Sequence, residues 1–103
     1  MTAAVLERPR IAAVDEDTLT VEVTEGDIAQ GRRGDPYGCA VAQAVMRQTG
    51  QEFVSVLADV VHICDRAEVP ARYRTPAGFA DWIHDFDYGH PVEPQTFVLR
   101  RAD

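Results

Sequence analysis

Leu19, Val21 and Val23 alternate with Thr20, Glu22 and Thr24, a period of two that predicts a strand with one buried face and one wet face. Just upstream, the apolar run Ile11-Ala12-Ala13-Val14 predicts a partner strand, with Asp15-Glu16-Asp17 as the solvated turn between them. Residues 1–10 show no apolar period and are expected to form a flexible arm, so the domain itself covers 11–103. Thr24 stands three residues before Asp27, an N-cap with an acidic first turn, and predicts a short helix over Glu25 to Gln30 stopped by Gly31. The breaker-rich stretch Gly31 to Gly38 reads as a loop. In it, Arg32 and Arg33 are placed to meet the first helix's C-terminal dipole.

The period then changes. Val41, Ala42, Val45, Met46 and Thr49 fall on one side of a helix from about Cys39 to Gln48, with Gly50 as its stop. Phe53 to Leu57 and Val60 to Cys64 are β-branched runs separated by Ala58-Asp59, a hairpin pattern. The connector from Val69 to Thr75 carries a short edge strand at Ala71 to Tyr73. Thr75-Pro76 predicts the start of a third helix, with Thr as cap and Pro at the first helical position. Its apolar stripe is Phe79, Trp82, Ile83 and Phe86, with Asp81 and Asp85 outside as an unpaired acidic couple and Gly89 at its end. Thr96 to Arg100 is a final strand. The expected order is ββααββαβ: an α+β fold, one small domain, with a mostly antiparallel sheet and about three helices on one face.

Composition narrows the classes. In 103 residues, 46% are hydrophobic and 26% charged, the balance of an ordinary globular domain with room for one core. No apolar stretch is long enough to span a bilayer, and the N-terminus lacks the pattern of a signal peptide, so no membrane partner and a cytoplasmic location are expected. Cys39 and Cys64 are too few for a disulfide framework and are read as reduced thiols. The net charge of −7 opposes direct nucleic-acid binding. All ten basic residues are Arg, and Lys and Asn are missing, which points to a GC-rich genome rather than to a chemical role.

Candidate chemistry is sparse. Cys39 sits at a helix N-terminus, where unpaired amides stabilise a thiolate, and is the one candidate nucleophile; the favoured reading is that it is a small buried hydrophobe packing the helix onto the sheet. His62 or His84 is the candidate base. Strand alternation puts His62 and Cys64 on one face as candidate metal ligands, to which His84, Asp85, Asp87 and His90 add only if the third helix docks beside them. Two ligands do not make a site, and no cofactor is expected. Arg33-Gly34-Asp35 matches a short integrin-binding tripeptide, a string that arises often by chance. No phosphate-cradling glycine loop, nucleophile elbow, paired-cysteine motif or zinc-protease helix is present. Trp82, Tyr37, Tyr73 and Tyr88 are candidate interface anchors.

Val23-Thr24-Glu25-Gly26-Asp27-Ile28-Ala29-Gln30-Gly31, then Gly34-Asp35 and Cys39-Ala40-Val41-Ala42-Gln43-Ala44-Val45, resembles a family of small proteins from actinobacteria and their phages. That family pairs a V-T-x-x-x-I-x-x-G segment with a C-P-[VI]-A-x-A-[LI] segment; here Ala40 stands in place of its Pro. The resemblance covers the central third of the chain. It implies a phage-borne or mobile-element protein and carries over no activity or ligand. The expected function is that of a small accessory protein that binds another protein, such as one of the host, as a monomer or small homo-oligomer. Asp81, Asp85, Asp87 and Glu93 form its expected acidic binding face, a possible mimic of nucleic acid. The alternatives are a thiol-dependent enzyme or redox-sensitive protein using Cys39, and a metal-binding module using His62 and Cys64.

Overall fold

In a computed structural model of the chain, residues 18–64 and 71–102 are described. The predicted strand at Ile11 to Val14, its acidic turn, the arm over residues 1–10 and the first residues of the connector lie outside them. The alternation that opens the described chain forms β1 (Thr18–Val23), with Leu19, Val21 and Val23 wholly buried. Next come α1 (Glu25–Gln30), α2 (Ala40–Thr49), β2 (Phe53–Val56), β3 (Val60–Cys64), β4 (Ala71–Arg74), α3 (Phe79–Asp87) and β5 (Gln95–Arg101). The five strands form one antiparallel sheet in the order β1-β5-β4-β3-β2.

Every strand buries alternate residues only. Val54 and Val56 on β2, Val61 and Ile63 on β3, Tyr73 on β4, and Phe97 and Leu99 on β5 join the β1 residues in a single apolar face. The helices cover that face: α2 contributes Val41, Ala44 and Val45, and α3 contributes Phe79, Trp82, Ile83 and Phe86. Phe79 and Trp82 both meet Phe97 edge-on, at ring-centroid distances of 4.8 and 5.6 Å. The α+β fold expected from the sequence is the fold observed, and among the described residues its order is βααβββαβ.

Two expectations are corrected. The strand at 71–74 is central, not an edge: β3 pairs along one side of it, and β5 returns after α3 to pair along the other. Its shortness and its two arginines imitate an edge pattern, and its bond to β5 is indeed narrow, confined to Tyr73↔Arg101 and Arg74↔Arg100. The third helix starts at Phe79, not at Pro76, and its cap is Gly78 in a left-handed conformation (φ 87°). Thr75 does not cap it, because the Thr75 hydroxyl donates to the Ala58 carbonyl (3.0 Å) and ties the connector to the β2–β3 turn.

Asp27, buried to 6% exposure, fastens α1 to α2. Its carboxylate accepts from the Thr24 amide (2.9 Å) and hydroxyl, while its own amide donates back to that hydroxyl, a reciprocal cap. Arg47 at the end of α2 donates to the same carboxylate (2.8 Å). Arg47 also donates to the Glu22 carbonyl, and Gln48 accepts from the Glu22 amide and donates to the Thr20 carbonyl. Side chains of α2 thereby satisfy the outward backbone groups of β1, the sheet edge among the described residues. At the opposite edge the Val56 amide donates to the Pro36 carbonyl (2.8 Å).

Gly31 is where three elements meet. A Cβ on it would lie 2.5 Å from the Ala40 amide nitrogen and 2.9 Å from the Phe86 ring, and the first of these neighbours is backbone. Gly31→Ala is therefore expected to push α1 off the start of α2 and to destabilise the domain by about 2 kcal/mol, as overpacking does. Chemical denaturation of the variant beside the native protein measures the shift.

Candidate functional site

The loop after α1 closes against α3. Gly34, with φ 74°, donates its amide to the Asp87 carboxylate (2.9 Å), so a left-handed turn in the loop is held to the helix end. Asp35 accepts from the Tyr37 amide (2.9 Å) and from Arg32 (3.0 Å). Those bonds, the Tyr37 amide foremost, hold the Asp35 carboxyl below its ordinary value. Arg32 is therefore turned to Asp35 rather than to the end of α1. The acidic member of Arg33-Gly34-Asp35 is likewise committed within its own loop, not presented to a receptor.

Between this loop and α3 runs an open groove of about 470 Å³. Apolar Pro36, Val56 and Ile83 line it with exposed Ala80, Leu57 and Tyr88, and Asp35, Asp81, Asp87 and His84 add polar groups. Among the described residues no arginine lines it. Leu57 is 44% and Tyr88 70% exposed, and His84 stacks on Tyr88 at 4.4 Å. Tyr37, on the same loop, is 66% exposed. Of the four aromatic anchors expected from the sequence, Tyr37 and Tyr88 are available, whereas Trp82 and Tyr73 belong to the core. The Trp82 indole donates to the Glu93 carbonyl (3.1 Å) and is spent there.

Cys39 and His84 line the same groove, yet no hydrogen bond joins them among the described residues. The thiol is 3% exposed at the N-cap of α2. Burial pushes it above its ordinary value; the amides of Ala42 and Val41 act to lower it, and the nearby charge of Asp87 adds to the rise. Helix amides do point at this sulfur, as the sequence suggested, but desolvation outweighs them. The arrangement is that of a packed thiol.

The acidic residues expected to form one face are divided. Asp81 and Asp87 stand on the groove, but Asp85 points elsewhere and meets His90 (3.2 Å), so the Asp81–Asp85 couple is not an unpaired one. His62 and Cys64 share a face, as alternation predicted, but it is the sheet face away from the helices. His84, Asp85, Asp87 and His90 are on or beside α3, across the sheet from them. Among the described residues no group of three His, Cys, Asp or Glu side chains is gathered closely enough to hold a metal ion.

Sequence reading missed Asp35 and Leu57 as groove residues. Leu57 continues the apolar run of β2 and so reads as core, and only its place at the strand end turns it outward. Among the described residues no helix is long and apolar enough to cross a membrane. Fold and groove together define an α+β domain with a shallow, acid-rimmed apolar cleft. Comparison with protein-family models, with curated proteins and with solved structures finds no match to the chain.

Proposed function

We propose that this chain is a protein-binding module, a small accessory protein of phage or mobile-element origin acting in the cytoplasm of a bacterial host. Its groove would receive a segment of the partner that carries an arginine or lysine beside an apolar residue. One observation carries this reading: Asp81 and Asp87 line an apolar cleft that among the described residues no arginine lines, with Leu57 and Tyr88 exposed on its rim. A long cationic side chain fits such a cleft because its stem packs on apolar surface while its head stays with the carboxylates. Tyr88 and Leu57 would supply the buried apolar contact on which affinity depends, and the carboxylates would supply steering and orientation.

The test uses a peptide array that varies one basic and one apolar position, read against the native protein, Asp81→Lys and Leu57→Asp. Basic-apolar peptides should bind the native protein and weaken as salt rises. Each substitution should weaken them about tenfold, equivalent to 1.4 kcal/mol. Affinity unchanged by both substitutions, or a preference for acidic peptides, would overturn the proposal. Amide chemical shifts in the NMR spectrum of the complex locate the contact independently of affinity.

A further inference from the structure

On the side of the sheet away from the helices, the described strand residues carry more positive than negative charge. β4 turns Arg72 and Arg74 outward around the buried Tyr73, and β5 places Arg100 directly opposite Arg74. His62 stands opposite Arg72 on the next strand, and Ser55 opposite His62. All three guanidinium groups are exposed. Among the described residues Arg72 reaches only the Ala102 carbonyl (3.3 Å), and no carboxylate pairs with Arg74 or Arg100. Like charges in directly opposed positions of an antiparallel pair repel. Here they stand on a seam only two residue pairs long. Glu22, on the far strand, is the one carboxylate among the described strand residues of this face.

The same face offers rings and flat surface. Phe53 is 58% exposed at the β2 edge, opposite Cys64, and Val98 is 48% exposed on β5 between Thr96 and Arg100. Along β4 the two arginines are about 7 Å apart, the separation of alternate residues on a strand, which is comparable with the step between phosphates on an extended nucleic-acid strand. A sheet surface that combines guanidinium groups with an exposed aromatic ring suits unpaired bases, because every base has a face to stack and every link a phosphate. An acidic protein would need an apolar depression for its anchoring side chains, and the groove, which is one, lies across the sheet and is itself acidic.

We propose that the open sheet face binds a single-stranded nucleic acid, with Arg72, Arg74 and Arg100 on its phosphates and the Phe53 ring against a base. The net charge of −7 argues against nucleic acid only for the molecule taken whole. A strand lying on the sheet is governed mainly by charges within about 8 Å, the screening length at physiological salt, and on the described strands of this face three arginines stand against the one carboxylate of Glu22.

Fluorescein-labelled dT12 and U12, titrated with the full chain by anisotropy across a range of salt concentrations, test the proposal. Three phosphate contacts predict that log K falls with log salt at a slope of about −2, at about 0.7 per phosphate. Arg74→Gln and Arg100→Gln should each weaken binding about fivefold at low salt and reduce the slope by about 0.7. Phe53→Ala should weaken binding about tenfold with the slope unchanged, because stacking releases no ions. Thermal melting of the variants excludes unfolding as the cause, since removing one of two opposed arginines is expected to leave the sheet as stable or more so. Three results would overturn the proposal: no binding of either oligonucleotide at 50 mM salt (about twice the Debye length of physiological buffer), a slope insensitive to both arginine substitutions, or displacement of dT12 by a polyglutamate peptide of equal charge. The variants that test the groove lie on the other side of the sheet, so the two results are independent.

Discussion

Phe79→Ala is expected to lower the unfolding free energy by about 4 kcal/mol, the range for an aromatic truncated in a closed core. Phe79 is wholly buried, packs edge-on against Phe97, and is the first residue of α3, so its ring pins the start of the helix to β5. Neighbours have little means of collapsing into the space, because Phe97 is itself held by Trp82 on its other flank. For a domain whose total stability is about 5–15 kcal/mol, such a loss leaves the variant partly unfolded near body temperature. Urea titration followed by the fluorescence of the single tryptophan reads the change. Trp82 stacks on Phe86 within the same cluster, so its emission also reports whether the cluster itself is intact.

Asp27→Ala is expected to cost about 3 kcal/mol at neutral pH, combining a charge-assisted hydrogen bond from Arg47 with the loss of a reciprocal helix cap. The effect should depend on pH. Burial by itself would raise the Asp27 carboxyl; the hydrogen bonds from Arg47 and Thr24, with the Arg47 charge, outweigh it and hold the group below its ordinary value of 3.8. A carboxyl depressed in the folded state contributes stability above its unfolded pKa and loses it as pH falls through the folded one. The difference between the native protein and Asp27→Ala should therefore be constant above about pH 5 and shrink below pH 4. Denaturation curves at pH 7, 4 and 3 provide the comparison, and an equal difference at all three would contradict the role given to this carboxylate.

Much of the fold was legible because its signals are local. Alternation in Leu19-Thr20-Val21-Glu22-Val23 and the 3.6-residue stripe through Phe79, Trp82, Ile83 and Phe86 each specify an element and the side it buries. Thr24 with Asp27, and Gly50 after α2, specify ends, and both are observed as caps. What failed depends on distant partners. Thr75 carries the residue type of a helix cap, but its hydroxyl is claimed by Ala58, seventeen residues earlier in the chain. The central place of β4 rests on the return of β5, which no feature of Ala71 to Arg74 announces. The groove was half legible: Cys39, Asp81, Asp87 and Tyr88 were singled out, but their meeting depends on how the loop after α1 lies on α3. Total charge concealed the basic sheet face, since a sum over the chain does not record that Arg72, Arg74 and Arg100 fall on the same side.

Gln48 and Arg47 act, in effect, as a short stand-in for a sixth strand alongside β1. A neighbouring molecule approaching that margin would find the Thr20 and Glu22 backbone groups already engaged, and would have to displace a buried-end ion pair to reach them. Growth of a continuous sheet onto this margin of the described domain is thereby opposed, while its two faces, one acidic and cleft, the other flat and rich in arginine, stay open to approach. The same helix end that locks α1 in place also sets the directions in which the molecule can be approached.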